Sequence, residues 1–283
     1  MSKPPEGFAQ TYGVELLCEQ PPRFERAELL QSVRKYCPNA ELMGEAKGEG
    51  SLTCSFAHPD HLVRLKDAAV PAHTHVLISN APYSVTPEVA DDLRQSWGFP
   101  EAVEVLSTCR HSLLVTDMTS SSLAPKERLG LFQGVLAGVL DVVPARAIHW
   151  RPSAHFLAAD RFREAYRQGG AARFFAGAIN VRFVTIEDAP GEMIMDTLGL
   201  AALGFPDLQC RFRDLDPNDV ATVLLNSGCY IFEAGDVIQD GHTIEGTTAG
   251  SRWLCRHADS ALAPLRTVLD LNPGPPHAGG RRA

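Results

Sequence analysis

The period of apolar positions changes several times along the chain, and those changes mark out its elements. Residues 12–18 read as a strand, and residues 25–36 carry helical spacing at Leu29, Leu30 and Val33. Residues 41–46 and 52–56 read as a hairpin turning through Lys47-Gly48-Glu49-Gly50. Residues 59–67 suit a short helix burying Leu62, Val63 and Leu65, and residues 75–79 a closing strand. The order is β-α-β-β-α-β, which predicts a ferredoxin-like split βαβ unit over residues 1–80.

Pro82 and Pro87 place a hinge at 80–87. A larger mixed α+β unit is expected over 86–271, packed with the first as one globular body. Helices are predicted at 88–97 and 101–107, then a buried strand at 111–117. Pro125 sits in the first turn of a helix to 141, whose apolar face is Leu129, Phe132, Leu136 and Val139. Its glycines 130, 134 and 138 fall four apart, a spacing that predicts close packing on a neighbouring backbone. A strand at 147–151, a helix at 160–173 and a hairpin of 180–186 with 192–195 follow. Asp216-Pro217-Asn218-Asp219 starts a helix with Val220, Val223, Leu224 and Ile231 inward and Gly235 as its stop. Asp240-Gly241 marks a tight turn, 252–255 a strand and 260–271 a last helix. The Pro- and Gly-rich residues 272–283 read as a disordered tail. The fold class is α+β.

Composition narrows the partners. A formal net charge of -8 gives no electrostatic reason to expect nucleic acid or an anionic membrane. Residues 1–7 lack the apolar core of a signal peptide, and no run reaches the ~20 apolar residues of a membrane span. Seven cysteines, widely spaced and without a Cys-x-x-Cys pair, point to reduced thiols in a cytoplasmic protein.

Five segments carry a family pattern: Cys109-Arg110-His111-Ser112-Leu113-Leu114-Val115-Thr116-Asp117; Ile148-His149-Trp150-Arg151-Pro152-Ser153; Met195-Asp196-Thr197-Leu198-Gly199-Leu200; Gly204-Phe205-Pro206-Asp207-Leu208-Gln209-Cys210; and Gly235-Asp236-Val237-Ile238-Gln239-Asp240-Gly241. Together they resemble the bacterial family labelled domain of unknown function 4261, over roughly residues 105–255. The resemblance implies no activity, cofactor or catalytic residue. Many small bacterial α+β proteins of this kind are suspected partner-binding modules, immunity proteins against toxins among them.

These segments hold the candidate chemistry. Asp117 ends an apolar strand, as an active-site carboxylate or as a cap for the turn that follows. His149 and Arg151 share one face of a strand with Trp150 on the other, as an anion site or as part of a structural ion pair. Asp196-Thr197 reads as the cap of a short helix stopped by Gly204, and Asp207, beside Cys210, as the start of the next strand. A metal reading would need Asp196 and Asp207 to converge with Asp117 or Asp236, which spacing cannot show, and no metal or cofactor is expected. Cys109 and His111 are too close in sequence for an ordinary catalytic pair. No Gly-x-Ser-x-Gly, Gly-Lys-Ser/Thr loop or His-Glu-x-x-His is present.

The expectation is a cytoplasmic, non-enzymatic module that binds another protein, such as an immunity protein whose acidic surface suits a basic toxin domain. The alternative is a hydrolase or transferase using Asp196, Asp207, His149 and Arg151. A third reading is a structural domain that homodimerises through a sheet.

Overall fold

The computed structural model describes residues 11–44, 53–65 and 68–280. The chain divides into two units, one within Ala9–Gly177 and the other within Ala178–Ala283. Both combine helices with a largely antiparallel sheet, as the α+β class requires.

In the first unit the order is β1 (Gly13–Cys18), α1 (Arg26–Arg34), β2 (Glu41–Leu42), β3 (Thr53–Arg64), β4 (Ala69–Ile78), α2 (Pro87–Arg94), α3 (Ala102–Thr108), β5 (His111–Asp117), α4 (Pro125–Val142), β6 (Ala147–Trp150), β7 (His155–Ala158), α5 (Ala159–Gln168) and α6 (Gly170–Phe175). The strands form one sheet in the order β2-β3-β4-β5-β1-β6-β7. β4 pairs with β5, and β1 pairs with both β5 and β6. Residues on either side of the expected hinge therefore share one sheet.

The ferredoxin-like order expected within residues 1–80 is not what these residues form. Residues 59–64 are strand, not helix: β3 runs through them with a register shift between His58 and Leu62. Pro59 lacks the N–H a ladder needs, so the strand bulges there and continues. The expected turn at 47–50 lies outside the described residues.

α4 is buried on nearly every side, with Leu129, Phe132, Leu136 and Val139 inward as expected. α1 packs on it through the glycine spacing. A Cβ at Gly138 would lie 2.6 Å from Val33 Cα, and one at Gly134 would lie 3.0 Å from Cys37 Sγ. Gly130 meets nothing within 4 Å. Residues 160–173 form two helices because Gly169 and Gly170 both take positive φ, 74° and 55°.

The second unit runs β8 (Asn180–Thr185), β9 (Glu192–Leu198), β10 (Asp207–Arg213), α7 (Pro217–Ala234), β11 (Thr243–Glu245), β12 (Arg252–Asp259) and β13 (Thr267–Asn272). Its sheet order is β11-β12-β13-β10-β9-β8, with β13 parallel to β10. α7 crosses between two meanders and packs on β9 and β10. Asp216 caps it by accepting from Asn218 N at 2.8 Å, and Gly235 ends it.

Two further expectations change here. Residues 260–271 are a loop followed by β13, since Pro264 cannot continue a helix and Val268, Leu269 and Leu271 are all buried in the sheet. Within the expected tail, residues 273–280 are ordered against β10: Arg213 N donates to His277 O, and Gly279 N to Arg211 O. Among the described residues no helix is long and apolar enough to cross a membrane.

Candidate functional site

The two motif aspartates converge in the second unit. Asp196 lies in β9 and Asp207 opens β10, both wholly buried. Asp196 caps no helix: β9 continues through it to Leu198, and a short 3-10 turn (Ala201–Leu203) follows. Arg182 grips Asp196 with two parallel bonds, Nε to Oδ1 at 2.9 Å and Nη2 to Oδ2 at 2.6 Å. Arg266 bridges both acids, donating Nη2 to Asp196 Oδ2 at 2.6 Å and Nε to Asp207 Oδ2 at 3.0 Å. Asp207 also accepts from Thr197 Oγ1 at 3.0 Å and from Leu200 N at 3.1 Å. Thr197 Oγ1 in turn accepts from Leu208 N at 2.8 Å, closing the corner between the strands.

Every partner of these carboxylates is a cation or a donor hydrogen. Burial pushes the Asp207 carboxyl up to about 6, against the pull of Arg266. An active-site acid must face solvent or substrate; these two face guanidinium groups and backbone. Their oxygens are committed to closing the corner that carries Gly199 and Gly204, both at positive φ.

Asp117 is equally enclosed. Arg128 holds it through Nε to Oδ2 at 2.7 Å and Nη2 to Oδ1 at 2.9 Å, and Tyr12 N donates to Oδ1 at 2.7 Å. It thus ties β1 to β5 and α4. Trp150 is fully buried among Tyr12, Phe132 and Phe162, so it is core and not a contact for a partner. Asp236 sits in the exposed loop after α7, its Oδ1 3.5 Å from His257 Nε2. Cys109 is buried, and burial followed by the nearby Glu19 pushes its thiol up, away from thiolate chemistry. Burial likewise raises the Cys210 thiol.

His149 and Arg151 both line one open groove of about 480 Å³ in the first unit. Strand register sets Glu15 of β1 directly opposite His149 of β6. Asp92, one turn beyond Val89 on α2, reaches His149 Nε2 at 2.7 Å. Arg151 donates Nη2 to Glu15 Oε2 at 2.8 Å. The His149 ring stacks on Phe156, 4.4 Å between centroids and 13° from parallel. Tyr83 adds a buried hydroxyl without a partner, its ionisation held back by burial first and then by Glu15.

The groove has the residue types of an acid–base site but not its wiring. A catalytic imidazole is held through one nitrogen and presents the other to substrate. In His149, Nε2 belongs to Asp92, while Nδ1 is buried and unpartnered. Asp92, Glu15 and Tyr83 were missed from the sequence because long-range pairing brings them to His149. Arg182 and Arg266 were missed for the same reason, standing 14 and 70 residues from Asp196.

Beyond the groove, α2 leads to an exposed Trp97 and α3 carries an exposed Val103, at 63% and 68% of full accessibility. Residues 86–108 contain five acidic residues and one basic residue, Arg94. Asp91, Glu101 and Glu104 are all exposed there. Underneath, Phe99, Ala102 and Leu106 pack with Leu17, Ala147 and Phe156, so this acidic helical face rests on a fixed apolar base.

No curated protein and no solved structure matches the chain. The segments around Cys109 and Ile148 lie outside the residues that the family model matches, whereas those around Asp196, Gly204 and Gly235 lie inside it, together with Arg266. Residues 196–272, from within β9 to the end of β13, match the family described as Domain of unknown function (DUF4261).

Proposed function

We propose that this is a bacterial cytoplasmic protein-binding module without catalytic activity, of the toxin-neutralising immunity kind, and that its partner docks on the acidic α2–α3 face. The observation that carries the reading is Trp97, a large aromatic side chain left in solvent on a firmly packed acidic segment. Tryptophan is, with tyrosine and arginine, among the residue types most enriched at interface hot spots. The surrounding carboxylates favour a basic partner and would speed its association in a salt-dependent way.

The hydrolase or transferase reading loses support from the same geometry. Asp196 and Asp207 are saturated within the second unit, and His149 and Arg151 have their own partners within the first. The test is affinity purification of the full chain from the cell that encodes it, alongside an assay of turnover against a panel of metabolites. A stoichiometric protein partner without turnover is expected. Turnover of a small molecule in the absence of any retained protein would overturn the proposal.

A further inference from the structure

The groove that His149 and Arg151 line holds more hydrogen-bonding capacity than its own residues use. Glu15 spends Oε2 on Arg151, and Asp92 spends Oδ2 on His149. Among the described residues the second oxygen of each carboxylate has no donor. The Tyr83 hydroxyl and His149 Nδ1 are buried without a partner. Ser112 lines the same groove, and its hydroxyl makes no hydrogen bond among the described residues. Ser112 and His149 are only 2% and 5% exposed. Strand register explains the meeting: Ser112 of β5 stands opposite Leu17 of β1, which shares a sheet face with Glu15 two residues earlier. Buried polar groups without partners are unfavourable, and several of them in one cavity form a set that a ligand can satisfy.

The sign of the ligand's charge follows from where the ionic groups sit. Two carboxylates share the groove with one guanidinium. Glu15 and Asp92 are mostly buried, whereas Arg151 is 57% exposed and already paired with Glu15. Glu15 and Asp92 both oppose loss of the Tyr83 proton, which places that hydroxyl within reach of the two acids. An anion would be repelled by both carboxylates. A cation bearing N–H donors would meet a free oxygen on each, with hydroxyl acceptors beside them. Pro82 and Val89 add apolar wall for a carbon chain.

We infer that this groove binds a small organic cation, a protonated amine on a short carbon chain. Glu15 and Asp92 are its charge partners, and the Tyr83 and Ser112 hydroxyls accept its remaining hydrogen. An ammonium carries three N–H donors, and those directed at carboxylates form the stronger, charge-assisted bonds. The inference concerns the groove alone and does not depend on a protein docking at the α2–α3 face.

Amide chemical-shift mapping of the full chain, titrated with n-butylammonium chloride, sodium butyrate or sodium chloride at matched ionic strength, tests the inference. Saturable shifts clustered on Ser84, Val89, Asp92 and Ser112 are expected with butylammonium and not with butyrate. Glu15→Gln keeps the shape, removes the charge and should weaken binding about tenfold. Tyr83→Phe removes a hydroxyl that holds nothing in the free protein, so folding is not at stake, and should weaken binding about threefold or more. Absence of saturable butylammonium shifts in the groove, or equal shifts with butyrate, would overturn the inference. So would undiminished affinity in Tyr83→Phe together with either undiminished affinity or loss of fold in Glu15→Gln.

Discussion

Arg266 Nη2 stands 2.6 Å from Asp196 Oδ2, in a pair whose side chains are 3% and 0% exposed. Truncating one partner of such a pair leaves a buried charge uncompensated, at a cost of about 3–5 kcal/mol. Arg266→Met is therefore expected to lower unfolding free energy by that amount in urea titrations, because Asp207 loses the one guanidinium that reaches it among the described residues while Asp196 keeps Arg182. A loss under ~1 kcal/mol would mean the network is not what holds the corner.

Titration of buried groups gives a signed pH dependence. Burial holds the imidazoles of His58 and His155 down to about 4, from an ordinary 6.5. The unfolded chain then binds more protons than the folded one between about 6.5 and 4, so stability falls as pH drops through that window. Asp207, raised from 3.8 to about 6, has the opposite sign: the folded state binds the extra proton, and stability falls as pH rises from about 4 to 6. Chemical denaturation across pH 4–7 should show a shallower acid loss in His155→Gln and a steeper one in Asp207→Asn. Parallel pH profiles for wild type and both variants would contradict these assignments.

The glycines of α4 should respond with opposite signs. Gly138→Ala drives a methyl group toward Val33 backbone and is expected to destabilise by about 1–3 kcal/mol. Gly130→Ala meets open space in the same helix and should stabilise by up to ~1 kcal/mol through helix propensity. Thermal melts of the two variants separate the effects directly. Equal shifts would show that α1 does not pack where the geometry places it.

How much of this was legible in the sequence follows from how local each cause is. α4 and α7 could be read because their apolar residues recur at helical spacing, and Asp216-Pro217 marks a start that needs no distant partner. The strand through Pro59-Asp60-His61 could not, because a bulge breaks the alternation that identifies strands. β13 reads as helix in the sequence because Val268, Leu269 and Leu271 are all buried, a pattern that a short fully buried strand shares with a helix. His149 and Arg151 reach the same groove, though β6 ends at Trp150 and Arg151 stands in the 3-10 turn that follows and not on the strand, and Asp196 and Asp207 meet through Arg266. What each pair meets was hidden: Glu15 faces His149 through strand register, and Arg266 reaches Asp196 across 70 residues.

On the proposed reading, function resides in the α2–α3 face and not in the motif carboxylates. Its most direct test is the affinity of the purified partner for the Trp97→Ala variant. A loss of at least ~2 kcal/mol, about thirtyfold, is expected, with the unfolding midpoint of the chain unchanged. Wild-type affinity in that variant would contradict it.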